Sequence, residues 1–246
     1  FLFLAALFLL VGIINPSFLT LSNISACFNT SVVYTLIAVG MAFAIFVGEI
    51  DVSVGSNLGL VAAVVGTMIQ NGSNWFAAFA VGICIGAVVG LINGWGVAVM
   101  KIPSLIFTLG TNGILRGMMY LQVGAEQVNQ LPKAFKDISS MTLVGSFTIY
   151  YCCAVLLTLL IHALLTRTRK GRYFIAVGDN AGGAELVGIP ATRTKVLAYV
   201  ICGVLSAIGG IIFCSRIGIV TSLSGNGYEM KAVAACVLGG ISLSGG

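Results

Sequence analysis

The chain has 246 residues, of which 59% are hydrophobic and only 8% charged, and its mean hydropathy is +1.09. The surface of a soluble globular protein does not tolerate this composition, so we expect most of the chain to be embedded in a membrane. The net charge of +5 does not indicate a nucleic-acid partner, because half of the twelve Lys and Arg residues lie between Arg167 and Lys195. Apolar stretches flank this cluster on both sides, which is typical of a cytoplasmic loop between membrane spans.

Uncharged apolar stretches are long enough to cross a bilayer several times, since a helical span needs about 20 residues. Backbone groups in hydrocarbon must be satisfied internally, which leaves helices or a closed barrel. The runs show no strict alternation and therefore favour helices. We predict an all-α polytopic membrane protein, a bundle of about eight transmembrane helices. The predicted spans are 1–14, 28–48, 52–70, 75–99, 103–121, 143–165, 196–214 and a partial span from about 229.

The basic cluster also sets the predicted orientation. Placing the loop 166–195 in the cytoplasm and counting spans backwards puts the N-terminus in the cytoplasm as well. The chain does not begin with Met and ends within apolar sequence. We therefore expect residues 1–246 to be a single transmembrane domain that is incomplete at both ends.

Four glycines recur at every fourth position of the fourth span, at Gly82, Gly86, Gly90 and Gly94. This spacing places them on one ridge of a helix, where another backbone can approach closely. The ridge serves either packing inside the bundle or a contact between subunits.

A polar segment, Gly48–Ser56, interrupts two apolar runs. Placing Asp51 and Ser53 in lipid costs free energy, and such residues usually face a cavity or a partner. The alternative is a tight cytoplasmic turn in which Asp51 or Ser53 caps the next helix. Asn93 poses the same choice between a pathway residue and a packing residue.

Polar residues also recur along the fifth span. Thr108, Thr111 or Asn112, and Arg116 follow a spacing of three or four and form a polar stripe on one helix face. A hydroxylated solute fits such a stripe, and so does hydrogen bonding between helices that only holds the bundle together.

The residues present do not assemble an enzyme. We find no Ser–His–acid set, no paired catalytic acids and no phosphate-binding glycine loop. The seven cysteines show no CxxC or zinc-ligand spacing, so we expect small buried hydrophobic residues and no bound metal or cofactor.

The loop after the sixth span has helix signals of its own. Asp179 or Asn180 is placed to cap a short helix that continues to Val187, and Gly188 with Pro190 ends it. Such a helix at the cytoplasmic face suits docking to a soluble partner.

Taken together, several segments resemble the permease family of bacterial ATP-binding-cassette sugar importers. The resemblance rests on the loop just described and on the blocks Ile50–Ser56, Gly90–Gly94, Thr108–Thr111 and Gly227–Gly246, in the order typical of the family. Members related to ribose, rhamnose and autoinducer-2 uptake are nearest in pattern. The resemblance implies a multi-pass protein of the bacterial inner membrane with the ABC importer permease fold.

The resemblance also implies partners and roles. A separate cytoplasmic ATPase subunit uses ATP and Mg, a second permease chain completes a homodimer or heterodimer, and a periplasmic or lipid-anchored binding protein delivers the sugar. The residues implied in ATPase coupling are Gly178, Asp179, Asn180, Ala184, Glu185 and Gly188. The candidates for the substrate pathway are Asp51, Ser53, Asn93, Thr108, Thr111, Asn112 and Arg116. The alternative function is an ion-driven secondary transporter or channel.

Overall fold

The computed structural model describes residues 2–124 and 127–246. The elements are helices with one small hairpin, which confirms the all-α polytopic class. The helices are α1 Leu2–Ile14, α2 Leu21–Phe46, α3 Val54–Gln70, α4 Trp75–Ala98, α5 Ser104–Val123, α6 Lys133–Asp137, α7 Ile149–Arg167, α8 Arg169–Asp179, α9 Ala181–Leu186, α10 Ala191–Ile217 and α11 Tyr228–Leu238. The antiparallel hairpin pairs β1, Thr142–Val144, with β2, Phe147–Thr148.

Each of the eight predicted spans overlaps one helix. Two boundaries are wrong: α2 begins at Leu21, seven residues before the predicted 28, and the start of the predicted span 143–165 lies in the hairpin. Among the described residues, α2, α4, α7 and α10 are long and apolar enough to cross a membrane by themselves, and α3 and part of α1 are shorter apolar helices. We call the end of the bundle that carries α8 and α9 the loop end, and the end that carries β1 and β2 the hairpin end.

Local sequence explains where several helices begin and end. Thr20 Oγ1, Asn74 Oδ1 and Thr148 Oγ1 each accept a backbone N–H in the first turn of α2, α4 and α7. α10 ends at Gly218, whose φ of 72° lies in the left-handed region that glycine adopts without strain.

α10 is the central helix of the bundle and packs against α2, α3 and α4. The glycines of α4 face it at backbone distance. A Cβ added at Gly86 would lie 2.5 Å from the Gly203 carbonyl oxygen, and one added at Gly94 would lie 2.8 Å from Val196 Cα. A Cβ at Gly90 would overlap the Tyr199 carbonyl. Three of the four glycines thus contact α10 inside the chain.

Gly82, the first glycine of the ridge, lies against α3 instead. Its added Cβ would lie 2.8 Å from Val65 Cγ2 and 3.5 Å from Ile211 Cδ1 of α10. The whole ridge is therefore occupied by packing within this chain, which leaves it no face for a contact between subunits.

After α10 the chain turns back into the bundle without forming a helix. Val220 pairs with Val128 through two backbone hydrogen bonds of 3.1 and 2.9 Å. Farther along, the Gly225 backbone packs against Gly55 near the start of α3, and α11 begins only at Tyr228. Irregular backbone inside a membrane-spanning bundle needs hydrogen-bond partners from the surrounding protein. Residues 218–227 with α11 thus form a re-entrant segment that ends in a half-helix.

All seven cysteines are free. The expectation that they are buried is wrong for Cys27, Cys84 and Cys153, which are exposed on the outer surface of the helices. A thiol is small and weakly polar, so an outward position in an apolar solvent costs little.

The contact between α4 and α10 leads to a stability prediction. Gly90→Ala inserts a methyl group where the Tyr199 carbonyl lies, and we expect the free energy of unfolding to fall by about 1–3 kcal/mol. Thermal unfolding of the detergent-solubilised protein measures the change. Gly113→Ala is the matched control, because a Cβ there meets nothing within 4 Å and alanine favours a helix by about 1 kcal/mol. Equal unfolding midpoints for the two variants would contradict the role of this contact.

Candidate functional site

A buried polar network surrounds the break between α2 and α3. Asp51 Oδ1 accepts hydrogen bonds from Ser53 N at 2.9 Å and Ser53 Oγ at 2.6 Å. Asn93 Nδ2, from α4, donates to Ser53 Oγ at 2.8 Å and to both Asp51 oxygens at 3.3 Å. The break in the helix is therefore tied to α4 by a carboxylate and an amide.

α5 completes this network from a third side. Thr108 Oγ1 accepts from Val52 N at 3.2 Å and donates to Ser104 O of its own helix at 2.7 Å. Ser53 occupies the cap position of α3 but makes no capping bond, because its backbone is already helical there. Its hydroxyl oxygen accepts from Asn93 instead, and Asp51 Oδ1 accepts the Ser53 N–H.

The Asp51 network is sealed inside the bundle. Asp51 and Ser53 are each 1% exposed, and Asn93 and Thr108 are 0% exposed. The hydrogen bonds from Ser53 and Asn93 satisfy the Asp51 carboxylate oxygens at this buried position. In this conformation these four side chains lock the helix break and do not line an open passage.

The polar stripe of α5 runs through Asn112 and not through Thr111. Thr111 donates to Phe107 O of its own helix at 3.1 Å and lines an apolar groove of about 750 Å³ between α4 and α5. Asn112 and Arg116 follow Thr108 at intervals of four and share its face. Of the two alternatives that the sequence leaves open, the geometry selects Asn112.

Arg116 reaches from α5 to the re-entrant segment. Its Nη1 donates to the Ser224 carbonyl at 2.8 Å. Glu229 lies nearby, in the first turn of α11, where its Oε1 accepts from Gly227 N at 3.3 Å. Sequence reasoning did not select Glu229, although an isolated carboxylate between two apolar runs was a signal that could have found it.

The loop between α7 and α10 forms two short helices. Asn180 caps α9, since its Oδ1 accepts from Gly183 N at 2.8 Å, and Asp179 is the last residue of α8. α9 ends before Gly188, whose φ is +83°. Of the two predicted cap residues, the structure uses Asn180.

Two of the coupling residues implied by the resemblance face the protein interior. Ala184 is 5% exposed, and a Cβ at Gly178 would overlap the Phe46 carbonyl at the end of α2. The expectation that Gly178 and Ala184 lie on the coupling surface is therefore wrong. Both pack against the bundle, because the loop approaches it closely there. Asp179, Asn180, Glu185 and Gly188 are exposed.

The most exposed apolar side chains of α9 and its end were missed by the sequence reasoning. Leu186 is 90% exposed and Val187 is 76% exposed. Both were taken as ordinary helix residues, although two adjacent apolar residues beside Glu185 in a polar loop were the available signal. We call Glu185, Leu186 and Val187 the outward face of α9.

Behind this outward face, the loop is fixed to the bundle by a second apolar cluster. Phe174 and Val177 of α8 pack with Phe43 and Val47 at the end of α2. The rings of Phe43 and Phe174 meet edge to face with centroids 5.1 Å apart. The cluster also contains Leu165, Ala184, Ala191 and Ala198. Displacement of α9 would therefore act on α2, α7 and α10 together.

An ion pair closes the same end of the molecule. Lys195 Nζ lies 2.6 Å from Glu49 Oε1, and it is the one salt bridge among the residues that the structure describes. Over the same residues, no group of three His, Cys, Asp or Glu side chains is placed to hold a metal ion.

Comparison with known proteins adds sequence evidence to this geometry. The autoinducer 2 import system permease protein LsrC of Enterobacter sp. (strain 638) is 42% identical over 247 residues, which covers 100% of this chain and 71% of that protein. The proteins of the same name from Klebsiella pneumoniae and Salmonella typhi are 40% and 38% identical, over 99% of this chain and 70% of each protein. No solved structure matches the chain.

A family model supports the same relationship. The model is described as the branched-chain amino acid transport system / permease component, and it matches residues 23–246. The match includes the Asp51 network, the polar stripe of α5, both loop helices and the re-entrant segment. The chain belongs to this family of integral-membrane transport permeases.

Proposed function

We propose that the chain is the permease subunit of an ATP-driven importer in the bacterial inner membrane, and that its solute is a monosaccharide or a sugar-like signal of the autoinducer-2 class. The printed names of the relatives support this class of solute. The observation that carries the ATP-driven part is the outward face of α9, which presents Leu186 and Val187 to solvent. Exposed apolar side chains on a rigid support are typical of a docking surface.

ATP and Mg belong to the partner ATPase in this proposal. The ATPase binds the outward face of α9, and its closure moves α8 and α9. Because the Phe43–Phe174 cluster joins these helices to α2, α7 and α10, the motion reaches the bundle as a rigid-body shift. The loop end is then cytoplasmic, the N-terminus is cytoplasmic, and the hairpin end receives the binding protein. A second permease chain completes the pathway.

The first prediction concerns the energy source. The full-length permease is reconstituted in proteoliposomes with its ATPase and binding protein, ion gradients are collapsed, and labelled pentoses, deoxyhexoses and autoinducer-2 are offered. We expect accumulation only with hydrolysable ATP. Omission of the ATPase is the control. Gradient-driven uptake by the permease alone would contradict the proposal and favour the ion-driven secondary transporter.

The second prediction concerns the docking face. Leu186→Glu adds a charge to an exposed side chain, so we expect normal folding and at least a tenfold loss of ATPase co-purification and of ATP-driven uptake. Glu185→Lys should act in the same direction by reversing a charge on this face.

The matched control is Leu143→Glu. Leu143 is 63% exposed but lies on the hairpin, at the opposite end of the bundle. We expect this variant to retain ATPase binding. Unchanged co-purification with Leu186→Glu, or equal loss with Leu143→Glu, would refute the assignment of α9.

A further inference from the structure

Six buried side-chain atoms have no hydrogen-bond partner among the described residues, and three of the six lie in one region of the bundle. These three belong to α5 and to the start of α11. The atoms are Asn112 Oδ1, Arg116 Nη2 and Glu229 Oε2. Buried polar atoms are nearly always paired, so three together require an explanation.

Contacts with α3 place these atoms close to one another. The Glu229 carboxylate lies against Gly55, where an added Cβ would overlap Oε2. The Ser224 carbonyl, which binds Arg116, lies against Gly59, 2.5 Å from an added Cβ. Gly55 and Gly59 are one helical turn apart, about 6 Å along the axis. Arg116 and Glu229 therefore lie about one turn apart along the same face of α3.

Along the axes of α3 and α5, Asn112 lies at about the same height as Gly55, against which Glu229 packs. It precedes Arg116 by four residues on α5, as Gly55 precedes Gly59 on α3, and both helices begin toward the loop end. Arg116 is about 18 Å along α5 from Ser104, which is more than half of the helix. The three atoms thus lie beside the polar face of α5, where Asn112, Arg116 and Glu229 are each half-buried.

The two charges in this region interact but do not form an ion pair, since the one salt bridge of the described residues is Glu49–Lys195. Arg116 and Glu229 each bind backbone of the re-entrant segment through one atom, and each has one buried atom without a partner among the described residues, Arg116 Nη2 and Glu229 Oε2. The backbone bonds fix the two side chains in place, and the free atoms are left for a molecule that fits between them.

We infer that Asn112, Arg116 and Glu229 bind the transported solute, and that the solute is an uncharged molecule with several hydroxyl groups. The inference rests on the proposed function and adds its binding residues. A hydroxyl group both donates and accepts. Such a solute therefore donates to Asn112 Oδ1 and Glu229 Oε2 and accepts from Arg116 Nη2.

The site carries one charge of each sign, so a solute ion of either sign would be attracted by one of the two side chains and repelled by the other. A neutral solute meets no such repulsion. A zwitterionic amino acid could pair with both charges, and its ammonium group has enough N–H donors to serve Asn112 Oδ1 as well as Glu229 Oε2. Competition by leucine is therefore an informative arm of the test.

If these residues only held the fold together, replacing them would unfold the protein. The substitutions below are chosen to leave the fold intact. Asn112 Oδ1 has no protein partner, so Asn112→Leu, of similar size, removes no structural hydrogen bond through that atom. Glu229→Gln keeps the oxygen that accepts from Gly227 N, replaces the unpaired oxygen by an amide group and removes the negative charge beside Arg116. Neither variant should unfold the protein, and Thr67→Val is the control, because Thr67 Oγ1 bonds only Ala63 O of its own helix.

The experiment measures ATP-driven uptake in the complete reconstituted transporter, for a sugar and for its deoxy analogues. For Asn112→Leu and Glu229→Gln we expect at least a tenfold fall in uptake of the sugar. We also expect a smaller ratio between the sugar and the analogue that lacks the matching hydroxyl. ATPase assembly and Thr67→Val should be unchanged. Uptake at the wild-type rate, or an equal loss for all analogues, would overturn the inference, as would competition by leucine that exceeds competition by the sugar.

A second measurement separates this inference from the proposed function. Millimolar sugar should raise the unfolding temperature of the wild-type permease and leave that of Glu229→Gln unchanged, without any transport. If the wild type binds sugar in this way but takes up none with ATP, the proposed function fails and the site stands. If sugar stabilises both proteins equally, or neither, the site is wrong even where ATP-driven uptake occurs.

Discussion

The close contact between α4 and α10 is the constraint on which the rest of the structure depends. Lipid supplies no hydrophobic force between helices, so association relies on van der Waals contact. Glycines at Gly86, Gly90 and Gly94 allow the backbone of α10 to approach at contact distance. With α10 fixed at the centre, α2 and α3 pack on its other faces through Gly209 and Gly210.

The central position of α10 makes irregular backbone tolerable inside the bundle. The break at Asp51 and residues 218–227 of the re-entrant segment both contain peptide groups that hydrocarbon would not satisfy. Side chains from neighbouring helices satisfy them: Thr108 accepts from Val52 N, Ser206 donates to the Val54 carbonyl and Arg116 donates to the Ser224 carbonyl. Broken helices in membrane transporters place half-helix ends near a solute in this way. The polar groups left over are then available for binding.

Much of the fold could be predicted from the sequence, because hydropathy and uncharged length determine where a chain crosses lipid. The short loop helix was also readable, since Asn180 and Gly188 carry local cap signals. The site was less predictable. Thr111 and Asn112 are adjacent in sequence, and only the packing of α5 against α3 decides which one faces the interior. Glu229 lies near Arg116 only because its segment folds back against α5, where Arg116 binds the carbonyl of Ser224, more than 100 residues away along the chain. No local pattern encodes this proximity.

In the proposed transport cycle, the polar face of α5 opens to each side of the membrane in turn. The most direct test places a single cysteine at Asn112 in a transporter whose seven native cysteines are replaced. Its labelling by a membrane-impermeant maleimide is then measured from each side, without nucleotide and with ATP trapped. The account predicts labelling from one side at a time, with the accessible side changing between the two states. Labelling that is the same in both states, or absent from both, would contradict it.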